Sequence, residues 1–148
     1  MPYWEIFSPQ DAYDSKDKEA FSKAITDACV SFVQIPEFYV VVRFQEYAAD
    51  EMYVGGKAQD NFVRVVTDTI ARQMEVKEIR MAVMDAIEQA MVPFVKDRGF
   101  DWEIHLDETP MDLWRVNGII PPPAYSEIEQ LWAKENRPSP YDYDSVAS

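Results

Sequence analysis

The sequence predicts an α/β fold in which two βαβ units, copies of one another, share a mixed four-stranded sheet with two helices on one face. Three observations predict it. The stretch from Ala24 to Gly56 matches the stretch from Ala86 to Gly118 at a constant shift of 62 residues without a gap, with eleven identities in 33 positions. About two would be expected by chance at average residue frequencies. Four short runs rich in aromatic and β-branched residues, PYWEIF, FYVVVRF, FVRVV and DWEIHL, read as strands. Between the members of each pair lies a segment with apolar residues at helical spacing.

Taken in order, the first half opens on a strand from Pro2 to Phe7 and continues into a helix. That helix carries Ala20, Phe21, Ala24, Ile25, Ala28, Cys29, Phe32 and Val33 on one face, with Ser15 as the expected N-cap and Asp17 and Glu19 in its first turn. The strand FYVVVRF follows. The second half repeats the plan with FVRVV, a helix bearing Ile79, Val83, Ile87, Ala90, Met91 and Phe94, and the strand DWEIHL. The repeats are expected to run from about 2 to 60 and from about 61 to 123, as one domain over 1–123. Two copies are too few for a solenoid and fit a fusion of one small module. The remainder, 124–148, is a tail that packs on this domain or on a neighbouring subunit; five of the ten prolines follow Gly118, and only SEIEQLWAKEN reads as helical. There Ser126 and Glu129 have capping-box spacing, and Ile128, Leu131 and Trp132 supply a short apolar face.

Composition narrows the function. With 27 acidic against 14 basic side chains, the net charge of −13 repels nucleic-acid phosphates and anionic lipid surfaces. No apolar run is long enough to span a bilayer and no secretory leader is evident, so the expected compartment is the cytoplasm, with no membrane and no nucleic-acid partner. One cysteine, Cys29, and one histidine, His105, cannot build a structural zinc site or an internal disulfide, so neither metal nor redox chemistry is indicated.

Pro2 stands directly behind the initiator methionine and ahead of a strand. Removal of Met1 would leave a secondary amine at the chain terminus. Burial or nearby cations lower the pKa of such an amine toward neutrality, where it can accept and return protons. The alternative is a proline that merely frays at a terminus.

The segment IPEFYVVVRFQEYAADEMYVGG resembles the 4-oxalocrotonate tautomerase module: Pro36 leads into a strand, Glu46 ends it, and a hairpin closes on Gly55 and Gly56. Pro2 stands where that superfamily carries its catalytic proline. The motifs AITDAC, FQE, VGG and ETP…NGIIPPP are similar to the fused, double-length branch that includes the cis-3-chloroacrylic acid dehalogenases, and the resemblance covers roughly residues 1 to 123. It implies a tautomerase-like α/β fold and a homotrimer in which the sheets line a central barrel. It also implies keto–enol proton transfer by the Pro2 amine on a small carboxylate-bearing enol or 2-oxo acid, with no cofactor; the alternative is a catalytically inactive trimer of the same fold that serves as a binding or scaffold protein.

The departures from the branch pattern also count. Cys29 stands where the dehalogenases have a histidine, and Val116 where they have the glutamate that activates water, so hydrolytic dehalogenation is not expected. His105 aligns with a tyrosine that lines the dehalogenase pocket and could orient the carbonyl; an ordinary inter-strand histidine is the alternative. Arg64, 62 residues beyond Pro2, Arg43, the repeat mate of His105, and Arg72, beside the expected arginine pair, are candidates for gripping a carboxylate through the planar guanidinium fork. A cross-strand ion pair is the alternative for Arg64. Asn117, the mate of Gly55, could bond a substrate or serve its turn. Met52, its mate Trp114, and Cys29 are assigned to the pocket wall, with core packing as the competing role.

Overall fold

The computed structural model describes residues 1–146. The chain runs β1 (Tyr3–Pro9), α1 (Ser15–Ala28), β2 (Val41–Tyr47), β3 (Tyr53–Val54), β4 (Lys57–Ala58), β5 (Phe62–Thr69), α2 (Lys77–Met91), β6 (Asp101–Glu108) and α3 (Glu127–Glu135). The main sheet has the order β2-β1-β5-β6. β1 and β2 run parallel, as do β5 and β6, while the central pair β1 and β5 is antiparallel. The expected mixed four-stranded sheet built from two βαβ units is therefore present.

Alternation along the central strands sets the two faces. Trp4, Ile6 and Ser8 of β1 and Val63, Val65, Thr67 and Thr69 of β5 are buried on one face, where α1 and α2 lie side by side. Phe21 and Ile25 of α1 and Val83, Ile87 and Met91 of α2 close this core. Complete burial of a side chain such as Phe21 is worth about 1.5–3 kcal/mol. On the other face Arg43, Arg64, Glu103 and His105 point away from the helices.

The register exposes a shift that the sequence comparison does not show. Tyr3 pairs with Val41, and the repeat mate of Val41, Glu103, pairs with Arg64. The first strands are thus related by 61 residues, one fewer than the helices and the second strands. Because side chains alternate with a period of two, that single residue moves Arg64 to the face opposite Pro2, and the true counterpart of Pro2 is Val63.

Local chemistry explains the remaining boundaries. α1 is capped by Asp14, not Ser15, in a reciprocal box with Asp17, whose backbone N–H donates to Asp14 at 2.8 Å. Its end widens into a π-helical turn, Cys29–Val33, that stops at Gln34 in the left-handed region (φ 58°). Phe38 and Tyr39 form a 3-10 turn after Pro36, so β2 begins only at Val41. The β3–β4 hairpin turns on Gly55 and Gly56 at φ 58° and 79°, and Asn117 and Gly118 repeat that turn at 49° and 79°. A two-residue turn with positive φ at both positions favours these residue types.

The tail packs on its own chain. Trp132 is fully buried against Phe38 and Tyr141, its indole N–H donating to Ser139 O at 2.9 Å, and Tyr141 donates to Ile120 O at 2.9 Å. The buried side of α3 is Glu129 and Trp132, while Leu131 faces solvent.

Candidate active site

Pro2 is buried at the start of β1, and its carbonyl accepts the Val41 N–H at 3.1 Å, which stitches the N-terminus into the sheet. It borders a cavity of about 20 Å³ between the sheet and both helices, lined by Trp4, Cys29, Val33, Ile35, Thr67, Thr69, Ala71, Arg72, Met74, Val83, Ile87 and Leu106. Repeat symmetry explains why space exists here. Val83 and Leu106 are the counterparts of Phe21 and Phe44, which meet edge to face at 5.9 Å at the other end of the molecule. There Phe94 also stacks on Phe21 at 4.5 Å, whereas its mate Phe32 is 49% exposed and lines a separate groove beside Arg72 and Val83. Aromatic rings fill one end of the duplicated core; smaller aliphatic chains leave the other open.

Arg72 is the guanidinium at this cavity. It is 8% exposed, and its two terminal nitrogens donate to Glu129 Oε1 and Oε2 at 3.0 and 2.9 Å. The same nitrogens also reach Ala71 O at 2.9 Å and Gln34 O at 2.6 Å, the latter freed by the left-handed end of the π turn. The Tyr125 ring lies 4.2 Å from the guanidinium carbon. Glu129 additionally accepts the Tyr125 backbone N–H at 2.7 Å. Arg72 Nε is buried without a hydrogen-bond partner.

The α-amine of Met1 lies in this neighbourhood. Burial, reinforced by Arg72, pulls its pKa from 8.0 down to about 4, against the opposing pull of Glu129. Burial pushes the Cys29 thiol up to about 12. The site therefore holds an amine neutral at physiological pH and a thiol that stays protonated.

The sequence-selected residues divide into two groups. Pro2, Arg72 and Cys29 meet at the cavity. His105 does not join them: it stands on the exposed face of β6, 3.7 Å from Asp107. Arg64 pairs with Glu103 on that same face, the consequence of the one-residue shift, and Arg43 lies there 3.5 Å from Glu5. Asn117 occupies the exposed hairpin turn. Met52 accepts the Gln59 N–H in the loop before β3, and Trp114 packs edge to face on Tyr39 at 4.8 Å; neither borders the cavity. Sequence reasoning missed Glu129 as a site residue by assigning its carboxylate to a capping box. Ser126 does accept the Glu129 N–H at 3.2 Å, but the Glu129 carboxylate turns to Arg72. Its signal was an i, i+3 relation to Trp132, which puts the charge on the buried side of α3. Among the described residues no group of three His, Cys, Asp or Glu is placed to hold a metal ion, and no helix is long and apolar enough to cross a membrane.

Comparison with known proteins places this arrangement. Residues 1–137 match the family model described as "Putative oxalocrotonate tautomerase enzyme". Native RhCC from Rhodococcus jostii RHA1 is similar with a TM-score of 0.92 and 57% identity, over 94% of this chain and 99% of that one. A probable enzyme from the thermophilic fungus Aspergillus fumigatus is similar with a TM-score of 0.88 and 37% identity, over 95% and 98%. A fused 4-OT described as an asymmetric trimer shares the fold with a TM-score of 0.66 at 15% identity, over 80% and 94%. No curated protein matches the sequence significantly.

Proposed function

The chain belongs to the oxalocrotonate tautomerase family defined by that match, and from this premise we propose that it moves a proton between oxygen and carbon of a small enol or 2-oxo compound, with the Pro2 amine as base. Membership supports a tautomerase-type function. The observation that carries the finer reading is the burial of Pro2 beside Arg72 in a largely apolar cavity. Low polarity and a neighbouring cation both favour the uncharged form of an amine, which is the form able to take a proton.

The step is an isomerisation. The Pro2 nitrogen accepts the enol O–H proton and delivers a proton to the adjacent carbon, while Arg72 is the cation bordering the reacting oxygen. It requires that Met1 be absent, because an acylated proline nitrogen has no basic lone pair. A role for His105, Arg43 or Arg64 would be exerted toward a neighbouring subunit, since all three lie on the uncovered sheet face. A homotrimer burying that face fits the family and is part of the proposal. Hydrolytic dehalogenation is not expected: Val116 offers no carboxylate, and the Glu129 carboxylate is committed to Arg72 and the Tyr125 N–H.

The test is ketonisation of enol phenylpyruvate by wild type and Pro2→Ala. Loss of about a hundredfold or more is expected on substitution; equal rates would remove Pro2 from the mechanism.

A further inference from the structure

Phe32 lacks the aromatic partner that its repeat mate has. Phe94 lies stacked on Phe21, with ring centroids 4.5 Å apart and planes 3° from parallel. The position equivalent to Phe21 is Val83, so the ring pair that closes one end of the duplicated core has no counterpart at the other. Phe32 and Val83 instead line a groove of about 370 Å³, together with Ile79, Met111 and Tyr125. Phe32, Ile79 and Tyr125 are 49%, 51% and 59% exposed there. The volume lies in the range of small-molecule clefts.

This groove adjoins the cavity that Pro2 borders: Val33, Ala71, Arg72, Met74 and Val83 line both spaces. The cavity itself, about 20 Å³, has room for little more than a water-sized group. A substrate whose reacting atoms reach Pro2 must therefore lodge its remaining bulk in adjoining space. The two spaces differ in chemistry. The Trp4 indole, Thr67, Thr69 and Cys29 line the cavity and not the groove. In the groove the Arg72 fork holds Glu129, and Gln73 Nε2 donates to the carbonyls of Ile70 and Thr109 at 3.3 and 2.9 Å, so the exposed lining is chiefly apolar. A second groove, about 420 Å³ beside β6, shares only Met74 and Leu106 with the cavity. It is bordered by Arg80, His105, Asp107 and Glu108, a charged lining that disfavours an apolar group.

We infer that the groove is a subsite for an aromatic substituent of the substrate, so that the preferred compounds are enols and 2-oxo acids bearing an aryl group on the carbon that is protonated. This rests on the reading of Pro2 as the reacting amine and narrows the substrate class of that same site. The aryl ring lies over Val83 and against Phe32, in the relation that Phe21 has to Phe94, and completes an aromatic contact that the chain leaves unfilled. The polar end of the molecule points inward, toward Arg72 and the Pro2 amine. Removal of the ring from water drives its binding, and contact with the Phe32 and Tyr125 rings adds to it.

The test titrates 3-phenylpropanoate and butanoate, which share a carboxylate and differ in the ring, calorimetrically into the protein freed of Met1. The phenyl compound is expected to bind about tenfold or more tightly. Phe32 is half exposed, so Phe32→Ala should fold normally; it is expected to cut that advantage by about threefold or more while leaving butanoate binding unchanged. Val83→Phe, which puts the missing ring back into the chain, is expected to abolish the advantage. No binding of 3-phenylpropanoate, equal affinity for the two acids, or an advantage undiminished in Phe32→Ala would overturn the inference. Should Val83→Phe fail to fold, Phe32→Ala decides alone. Binding is measured without turnover, so failure of the Pro2 mechanism appears only in the Pro2→Ala kinetics and is distinguishable.

Discussion

Arg72 and Glu129 meet in a bidentate ion pair that joins the end of β5 to the C-terminal helix, with side chains 8% and 4% exposed. Removing one partner leaves a buried charge without its counter-ion. Arg72→Met and Glu129→Leu are each expected to destabilise the protein by about 3–5 kcal/mol, whereas the double variant, with apolar side chains at both positions, should recover most of that loss. Urea unfolding of the three variants checks this. Additive losses in the double variant would show that the two side chains act separately.

The unequal ends of the repeat give a packing prediction. Val83 stands where the other copy has Phe21, so Val83→Phe inserts an aromatic ring into the space beside Pro2. The cavity is small, about 20 Å³, and overpacking of this kind costs about 1–3 kcal/mol. The variant should therefore remain folded by circular dichroism while losing tautomerase activity by about tenfold or more, as a blocked site requires. Full activity in a folded Val83→Phe would place the reaction elsewhere.

Cys29 is 3% exposed, and burial pushes its thiol up to about 12. Both conditions oppose formation of the nucleophilic thiolate. Folded protein at pH 8 should resist alkylation by iodoacetamide for hours, and the same protein in denaturant should react fully, as read by intact mass. Rapid modification of the folded form would contradict the burial of this helix face.

The N-terminal amine makes stability depend on pH in protein that keeps Met1. Its pKa falls from 8.0 to about 4 on folding. Between those values the unfolded chain binds a proton that the folded chain does not, so stability rises as pH rises through this window, by at most about 1.4 kcal/mol per pH unit. Below pH 4 and above pH 8 the contribution flattens. Blocking the amine by acetylation should remove this slope; identical urea-midpoint profiles for blocked and free protein would contradict the buried amine.

Strand and helix placement was legible in the sequence because alternation and helical spacing are local signals, and the repeat doubled them. Pro36 and Ser15 show the limit of that legibility. The turn at Glu37–Tyr39 and the Asp14 cap each hang on which neighbouring polar group the backbone chooses, a contest decided by tertiary contacts. Arg64 was misplaced for a different reason: the connection from first strand to helix is one residue shorter in the first repeat than in the second, a difference invisible to an alignment that begins at Ala24, yet it reverses a face. Pro2, Cys29 and Arg72 could be picked by pattern. The link from Arg72 to Glu129 spans 57 residues, and one sequence holds no signal for such a pair beyond the amphipathic position of Glu129 on α3.

The central claim is that an unacylated Pro2 nitrogen does the proton transfer, and one sample can test it. Protein isolated with Met1 in place is assayed for enol ketonisation before and after enzymatic removal of that methionine, with intact mass reporting the state of the N-terminus. The account predicts that activity rises about a hundredfold or more on removal. Equal activity of the two forms would contradict it.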